Sequence, residues 1–254
     1  MIDRRRNAAS GRTRRLFAAA ALVLLAACGE SERPAGEAAP AAAAPAAPPA
    51  IADRREAPGG DPLRVVFLGD SLTAGLGLGE AEAFPALVGE RLERAGHAVA
   101  VVNAGVSGDT SAGGLARLGW ILRQEPDVLV VELGANDGLR GISPEATEEN
   151  LRGIVRGAQE AGARVLLLGI RLPPNYGPDY RARFEAIYPR VAAEFGVPLV
   201  PFFLEGVGGR ADLNLGDGIH PNAAGQRRVA DNVYPAIEEL VGEELVGEGA
   251  GGED

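Results

Sequence analysis

The sequence predicts an α/β domain built on a doubly wound, five-stranded parallel sheet. Three observations predict it. Between Pro62 and Val246, five short apolar runs alternate with amphipathic stretches of helical length. The runs at 128–133 and 164–170 are strongly apolar, as strands covered on both faces must be. The polar residues with chemical potential cluster directly after these runs, where an open parallel sheet binds its ligands.

Taken in order, residues 1–27 are expected to be a targeting segment. Arg4, Arg5, Arg6, Arg12, Arg14 and Arg15 make a positive start, and 16–27 is apolar but too short to span a bilayer as a mature helix. The segment ends in Leu25-Ala26-Ala27-Cys28, which resembles a bacterial lipobox whose Cys becomes the first mature residue and carries the lipid. Thr13-Arg14-Arg15-Leu16-Phe17 also resembles a twin-arginine export motif. Residues 28–60 are expected to form a disordered Ala/Pro-rich tether, because Pro40, Pro45, Pro48 and Pro49 interrupt any helix. The folded domain is expected over 61–245, and 246–254 as a disordered tail.

Within the domain, the first strand is expected at 64–68, closed by Gly69-Asp70. A helix over 83–94 ends at Ala95-Gly96 and leads to a second strand at 99–102. The third and fourth strands are the runs at 128–133 and 164–170, and the fifth lies at 197–202. Further helices are expected near 113–124, 145–161, 180–195 and 222–241.

All 25 basic residues are arginine. The chain therefore has no Schiff-base lysine, no P-loop lysine and no Ser–Lys catalytic pair. Six arginines and one aspartate fall within 1–27, so the remainder holds 19 basic and 34 acidic residues, a net charge of −15. Such a surface argues against a nucleic-acid partner. One cysteine forms no intramolecular disulfide. One cysteine and two distant histidines make no metal-ligand cluster, so no metal is expected.

Of the two histidines, His97 sits in a helix-to-strand turn expected at the far end of the sheet. His220 lies in Asp217-Gly218-Ile219-His220-Pro221-Asn222, three residues after a carboxylate that can reach its ring, and just before an expected helix start at Pro221. Ser71 follows strand one in Gly69-Asp70-Ser71. A serine hydroxyl attacks a carbonyl only when a base takes its proton, so Ser71 and His220 are the candidate nucleophile and base. The oxyanion that would follow needs fixed donors. The candidates are the Ser71 amide, the Gly108 amide after strand two, and the Asn136 side chain after strand three. No Gly-x-Ser-x-Gly elbow is present, so an ordinary α/β-hydrolase arrangement is excluded.

In order, Gly69-Asp70-Ser71, Gly108, Gly134-Ala135-Asn136-Asp137 and Asp217-x-x-His220 resemble the blocks of the SGNH, or GDSL, hydrolases over about 63–240. The stretches 103–111, 131–141, 170–177 and 217–222 are similar to the bacterial periplasmic thioesterase I, arylesterase and lysophospholipase subgroup. The resemblance implies a three-layer α/β/α, flavodoxin-like SGNH fold and a cofactor-free serine esterase. It implies Ser71, Asp217 and His220 as triad, and Ser71, Gly108 and Asn136 as oxyanion hole. It further implies that the loop from Gly138 and Leu139 to Ser143 closes over the acyl chain, with Leu172 and Pro173 lining the pocket. The lipobox departs from the subgroup's soluble members. It leads to the expectation of an exported, periplasmic monomer anchored to a membrane through lipidated Cys28, with Gly29 favouring the outer membrane. Two rival expectations share the same cleft: an envelope polysaccharide O-deacetylase, and a catalytically silent lipid-binding lipoprotein.

Overall fold

The computed structural model describes residues 61–249. Residues 1–60, which hold the expected targeting segment, Cys28 and tether, lie outside the described part, as do 250–254. Five strands occur: β1 (Leu63–Gly69), β2 (Val99–Gly105), β3 (Val128–Glu132), β4 (Arg164–Leu168) and β5 (Leu199–Val200). They form one parallel sheet in the order β2-β1-β3-β4-β5.

Parallel neighbours need crossovers, and helices supply them. Strand β1 leads to β2 through α1 (Ser71–Ala74) and α2 (Phe84–Arg94). Helices α3 (Ser111–Ala116) and α4 (Leu118–Leu122) precede β3. Helices α5 (Ala135–Leu139) and α6 (Pro144–Glu160) precede β4. Helices α7 (Pro178–Glu185) and α8 (Ile187–Phe195) precede β5, and α9 (Ala223–Gly249) follows it. Helix α2 packs with α9, while α6 packs with α3, α4, α7 and α8. The sheet is the middle of three layers.

Four expectations shift. The fifth strand shrinks to two residues because Pro198 and Pro201 flank it and cannot donate to the ladder. The helix expected at 113–124 breaks at Arg117, and that at 180–195 breaks at Ala186. Helix α9 starts at Ala223 rather than Pro221. Asn222 Oδ1 accepts from the Ala224 and Gly225 amides, while Pro221 pairs with Asn214 in an isolated bridge. At its other end α9 continues to Gly249.

The core is apolar and continuous. Every residue of β3 is buried, and Phe84 joins Phe67 edge-to-face at 5.6 Å and Phe203 at 6.1 Å. Each such side chain contributes roughly 1.5–3 kcal/mol by leaving water. Within β3 one residue breaks the apolar pattern: Glu132, the last of the strand, is only 1% exposed.

Candidate active site

Three strand ends meet level with one another. Gly69 pairs with Gly105 on one side and with Glu132 on the other, so the loops after β1, β2 and β3 leave the sheet together. The strand order reverses at β1, and this reversal opens the crevice where such sheets bind ligands. His97 is half-buried just before β2, at the opposite end of the strands.

Ser71 opens α1 directly after Asp70, whose Oδ1 accepts from the Leu72 amide at 2.9 Å. Ser71 Oγ lies 2.9 Å from His220 Nε2. His220 Nδ1 lies 2.7 Å from Asp217 Oδ2. The other Asp217 oxygen accepts from the Ile219 and His220 amides at 2.9 and 3.0 Å, so one carboxylate shapes the turn and orients the ring it carries. The His220 amide, then the Ile219 amide and the ring, hold the Asp217 pKa down to about 2. An ionised Asp217 only accepts, so Nδ1 carries the hydrogen and Nε2 is left to accept from Ser71.

The two other expected donors stand in segments that are clamped from several sides. Gly108 has φ +82°, a conformation that favours glycine, and its carbonyl accepts from Arg140 Nη2 at 2.9 Å. Arg117 donates to Asp109 Oδ2 at 2.7 Å, to the Ala104 carbonyl at 2.7 Å and to the Gly69 carbonyl at 3.0 Å. It therefore ties the ends of β1 and β2 to the loop that carries Gly108.

Asn136 Nδ2 donates to Asp70 Oδ2 at 3.0 Å. An ionised carboxylate only accepts, so the amide nitrogen must face it, and that nitrogen keeps a second N–H. Gly134, two residues earlier, has φ +116°, and a Cβ there would lie 2.4 Å from Tyr188 Oη. Only glycine lets α5 start so close to α8. Asp137, fully buried, accepts from the Ser111 amide at 2.8 Å and the Ser111 hydroxyl at 2.5 Å. Its work is to lock α3 against α5.

A cavity of about 370 Å³ adjoins this relay, reaching from Leu72 and Ala135 to Ile219. Leu139, Leu172 and Pro173 line it, together with Ile170 and Phe202. Gly138 is placed otherwise. It is buried in α5, where an added Cβ would meet Leu172 at 2.3 Å, so it supports the wall and does not line the space. The expected closing loop also begins as the end of α5, and the segment is pinned in place. Tyr176 Oη donates to the Leu139 carbonyl at 2.9 Å and Tyr180 Oη to the Ile142 carbonyl at 2.7 Å.

Sequence reasoning assigned no role to Asp70, Arg117, Glu132 or Arg140. Asp70 stood inside the Gly-Asp-Ser motif, and Glu132 was a lone acid ending an apolar strand, which is the signal that marks it. Arg117 and Arg140 act through backbone carbonyls, which no motif records. Among the described residues, no group of three or more His, Cys, Asp or Glu could hold a metal ion.

Residues 67–228 match the GDSL-like lipase/acylhydrolase family. The chain belongs to that family. Esterase TesA of Pseudomonas aeruginosa is 50% identical over 178 residues, covering 70% of this chain and 89% of the relative. Thioesterase 1/protease 1/lysophospholipase L1 of Escherichia coli K12 is 47% identical over 178 residues, covering 70% of this chain and 84% of the relative. Among solved structures, a psychrotrophic esterase EstA from Pseudoalteromonas sp., inhibited by monoethylphosphonate, superposes with a TM-score of 0.67 at 35% identity, covering 70% of this chain and 98% of that one. This GDSL-family chain is a hydrolase acting on ester bonds.

Proposed function

We propose that this GDSL-family protein cleaves acyl esters, and by the same chemistry acyl thioesters and lysophospholipids, through an acyl-enzyme on Ser71. The observation that carries the reading is the relay from Ser71 Oγ to His220 at 2.9 Å and from His220 to Asp217 at 2.7 Å. His220 Nε2 takes the Ser71 proton as Oγ attacks the acyl carbonyl. The oxyanion is met by the Ser71 and Gly108 amides and the second N–H of Asn136, each donor lowering the barrier by roughly 3–4 kcal/mol. Collapse passes the proton from His220 to the leaving group and leaves the acyl group on Ser71. A water that gives its proton to Nε2 then attacks the same carbonyl, and the acid departs. Asp217 orients the ring and balances its transient positive charge.

The apolar lining of the cavity favours an acyl chain over acetyl alone. Each methylene it takes from water is worth about 0.8 kcal/mol, so kcat/KM should rise by up to about fourfold per methylene until the cavity is filled. Steady-state hydrolysis of p-nitrophenyl esters from two to sixteen carbons tests this. A maximum at medium or long chains is the expected result. A strong preference for acetyl would replace this reading with an O-deacetylase. No hydrolysis, together with no labelling of Ser71 by an alkyl fluorophosphonate, would replace it with the silent lipid-binding protein.

We also propose that Cys28 is lipidated and holds the enzyme to the periplasmic face of a membrane, the outer one where the cell has two. The lipobox resemblance and the Ala/Pro stretch that follows it support this. A single acyl chain binds a membrane only marginally, so a stable anchor needs more than one. Cells fed radiolabelled palmitate should label the protein, and Cys28→Ala should abolish the label. Equal labelling of that variant would remove the anchor from the proposal.

A further inference from the structure

Directly beneath the nucleophile lies a second carboxyl group that the mechanism above does not use. Glu132 ends β3 and is 1% exposed, and Asp70 beside it is fully buried. No arginine bonds either side chain among the hydrogen bonds and ion pairs of the described residues. Glu132 Oε2 accepts from Thr73 Oγ1 at 2.8 Å and from the Asp70 amide at 3.3 Å. Glu132 Oε1 makes no hydrogen bond. Two buried carboxylates in contact cannot both be charged without a large penalty, so the pair holds one proton.

The four hydrogen bonds decide where that proton resides. Both Asp70 oxygens accept: Oδ1 from the Leu72 amide and Oδ2 from Asn136 Nδ2. Glu132 has one oxygen that no donor holds, whereas both Asp70 oxygens are held, so the charge is better supported on Asp70 and the proton falls to Glu132. We propose that Glu132 is a positioning residue for the oxyanion hole: as a neutral acid it braces the turn at Asp70 and Thr73 and lets Asp70 stay ionised, so that Asp70 holds the Asn136 amide nitrogen toward the substrate.

The electrostatics agree with that division. Burial, then the Asp70 charge, pushes the Glu132 carboxyl well above its usual range. Asp70 rises only to about 6, because burial is opposed by the Leu72 amide, by the neighbouring Glu132 side chain and by Asn136. The other charged or titratable groups around the pair are His220 before α9, Tyr188 on α8, Asp137 on α5 and Arg117 between α3 and α4. Tyr188 is itself kept neutral by burial and donates to the Leu133 carbonyl at 3.0 Å. Arg117 bonds Asp109 and the Ala104 and Gly69 carbonyls, and neither carboxyl of the pair.

Protonation then has a direction in pH. A free glutamic acid ionises near 4.5, while the folded one keeps its proton well above that. Its contribution to stability is complete below about pH 4.5 and is lost as pH rises toward the raised value. The Asn136 geometry should be lost over the same rise in pH, when a second charge is forced into the pair.

The test compares Glu132→Gln and Glu132→Ala in the full-length protein on a p-nitrophenyl ester of medium chain length. The inference rests on the Ser71 reading, so wild type and Ser71→Ala are run beside them. If wild type is inactive, or Ser71→Ala retains activity, the Ser71 reading has failed. Effects at Glu132 alone leave that reading untouched.

Gln keeps the shape and neutrality of the protonated acid, and kcat should stay within about threefold of wild type. Ala removes the brace, and kcat should fall by at least about tenfold with KM within about threefold, since one oxyanion donor is worth roughly 10²–10³. Affinity for an alkyl boronic acid, which forms a tetrahedral anion on serine, should fall in parallel with kcat. The alkaline decline of kcat in wild type should flatten in Glu132→Gln.

Wild-type kcat in a folded Glu132→Ala would overturn the inference. So would a Glu132→Gln protein that folds yet loses as much as Ala, because the charged form would then be the one required. If Glu132→Ala does not fold, the pH profile of Glu132→Gln decides: an alkaline limb identical to wild type overturns it.

Discussion

Replacing Ser71 by Ala lowers kcat for an aryl ester by roughly 10⁶-fold, replacing His220 by Ala does about the same, and the double variant loses no more. The two groups act on one proton. Without the imidazole, the hydroxyl 2.9 Å away has no base to release its hydrogen. Without the hydroxyl, the imidazole has no nucleophile to activate for acylation. Either deletion therefore removes the same step, and the losses cannot add. What remains is the oxyanion hole and substrate binding, so KM should change little. Ser71 is 8% exposed and its change to Ala removes one atom, so the fold should persist. Steady-state kinetics of the three variants, with thermal melts as a control for folding, check this. Additive losses, or a Ser71→Ala protein within a hundredfold of wild type, would place the nucleophile elsewhere.

Replacing Asp217 by Asn should lower kcat by roughly 10⁴-fold at pH 8, although the change adds no bulk. The reason is a count of acceptors. Asp217 Oδ1 takes the Ile219 and His220 amides, and Oδ2 takes the ring nitrogen Nδ1. Asparagine has one oxygen for these three donors. The two backbone amides are fixed by the turn at 217–220, so the oxygen stays with them and the new NH₂ faces the ring. It then donates to Nδ1, the ring hydrogen moves to Nε2, and the nitrogen facing Ser71 becomes a donor. The base has been turned round.

Nitrogen chemical shifts of the His220 ring report the tautomer directly and should invert in this variant. Loss of kcat without inversion would mean that Asp217 acts through charge alone, and a loss under tenfold would remove it from the relay. Acid should leave this arm of the site intact longest. With its pKa held down to about 2, Asp217 keeps its charge and its turn-capping bonds until pH falls toward that value, where the stability they contribute is lost.

The resemblance carried by the motifs covered the residues that touch substrate in the proposed mechanism, and the structure brings Ser71, His220 and Asp217 within hydrogen-bonding distance. Ser71 and His220 are 149 positions apart, yet each sits in a short block whose chemistry is readable alone. The residues that hold them were not readable. Asp137 stood beside Asn136 in the same block with no role assigned, and its carboxylate turns to Ser111. Arg117 looked like one more residue of a helix, whereas the chain breaks there so that its guanidinium can reach two strand ends. Gly138 looked like part of a mobile loop over the substrate and is a packing position against Leu172.

By itself, the sequence determined the α/β class, the rank of the strands in the chain and the end of the sheet that carries chemistry. These follow from local patterns: apolar runs of strand length, helical periodicity between them, and polar residues just after the runs. Only the tertiary structure decided which groups meet. The pairing of Glu132 with Asp70 depends on β1 and β3 lying side by side, with Gly69 level with Glu132, and no local pattern states that register. The physical reason is that a buried acid is defined by what surrounds it. The same glutamate at an exposed position would be an ordinary surface charge. At the closed end of β3, against a second carboxyl and beneath the nucleophile, it becomes a proton-bearing brace.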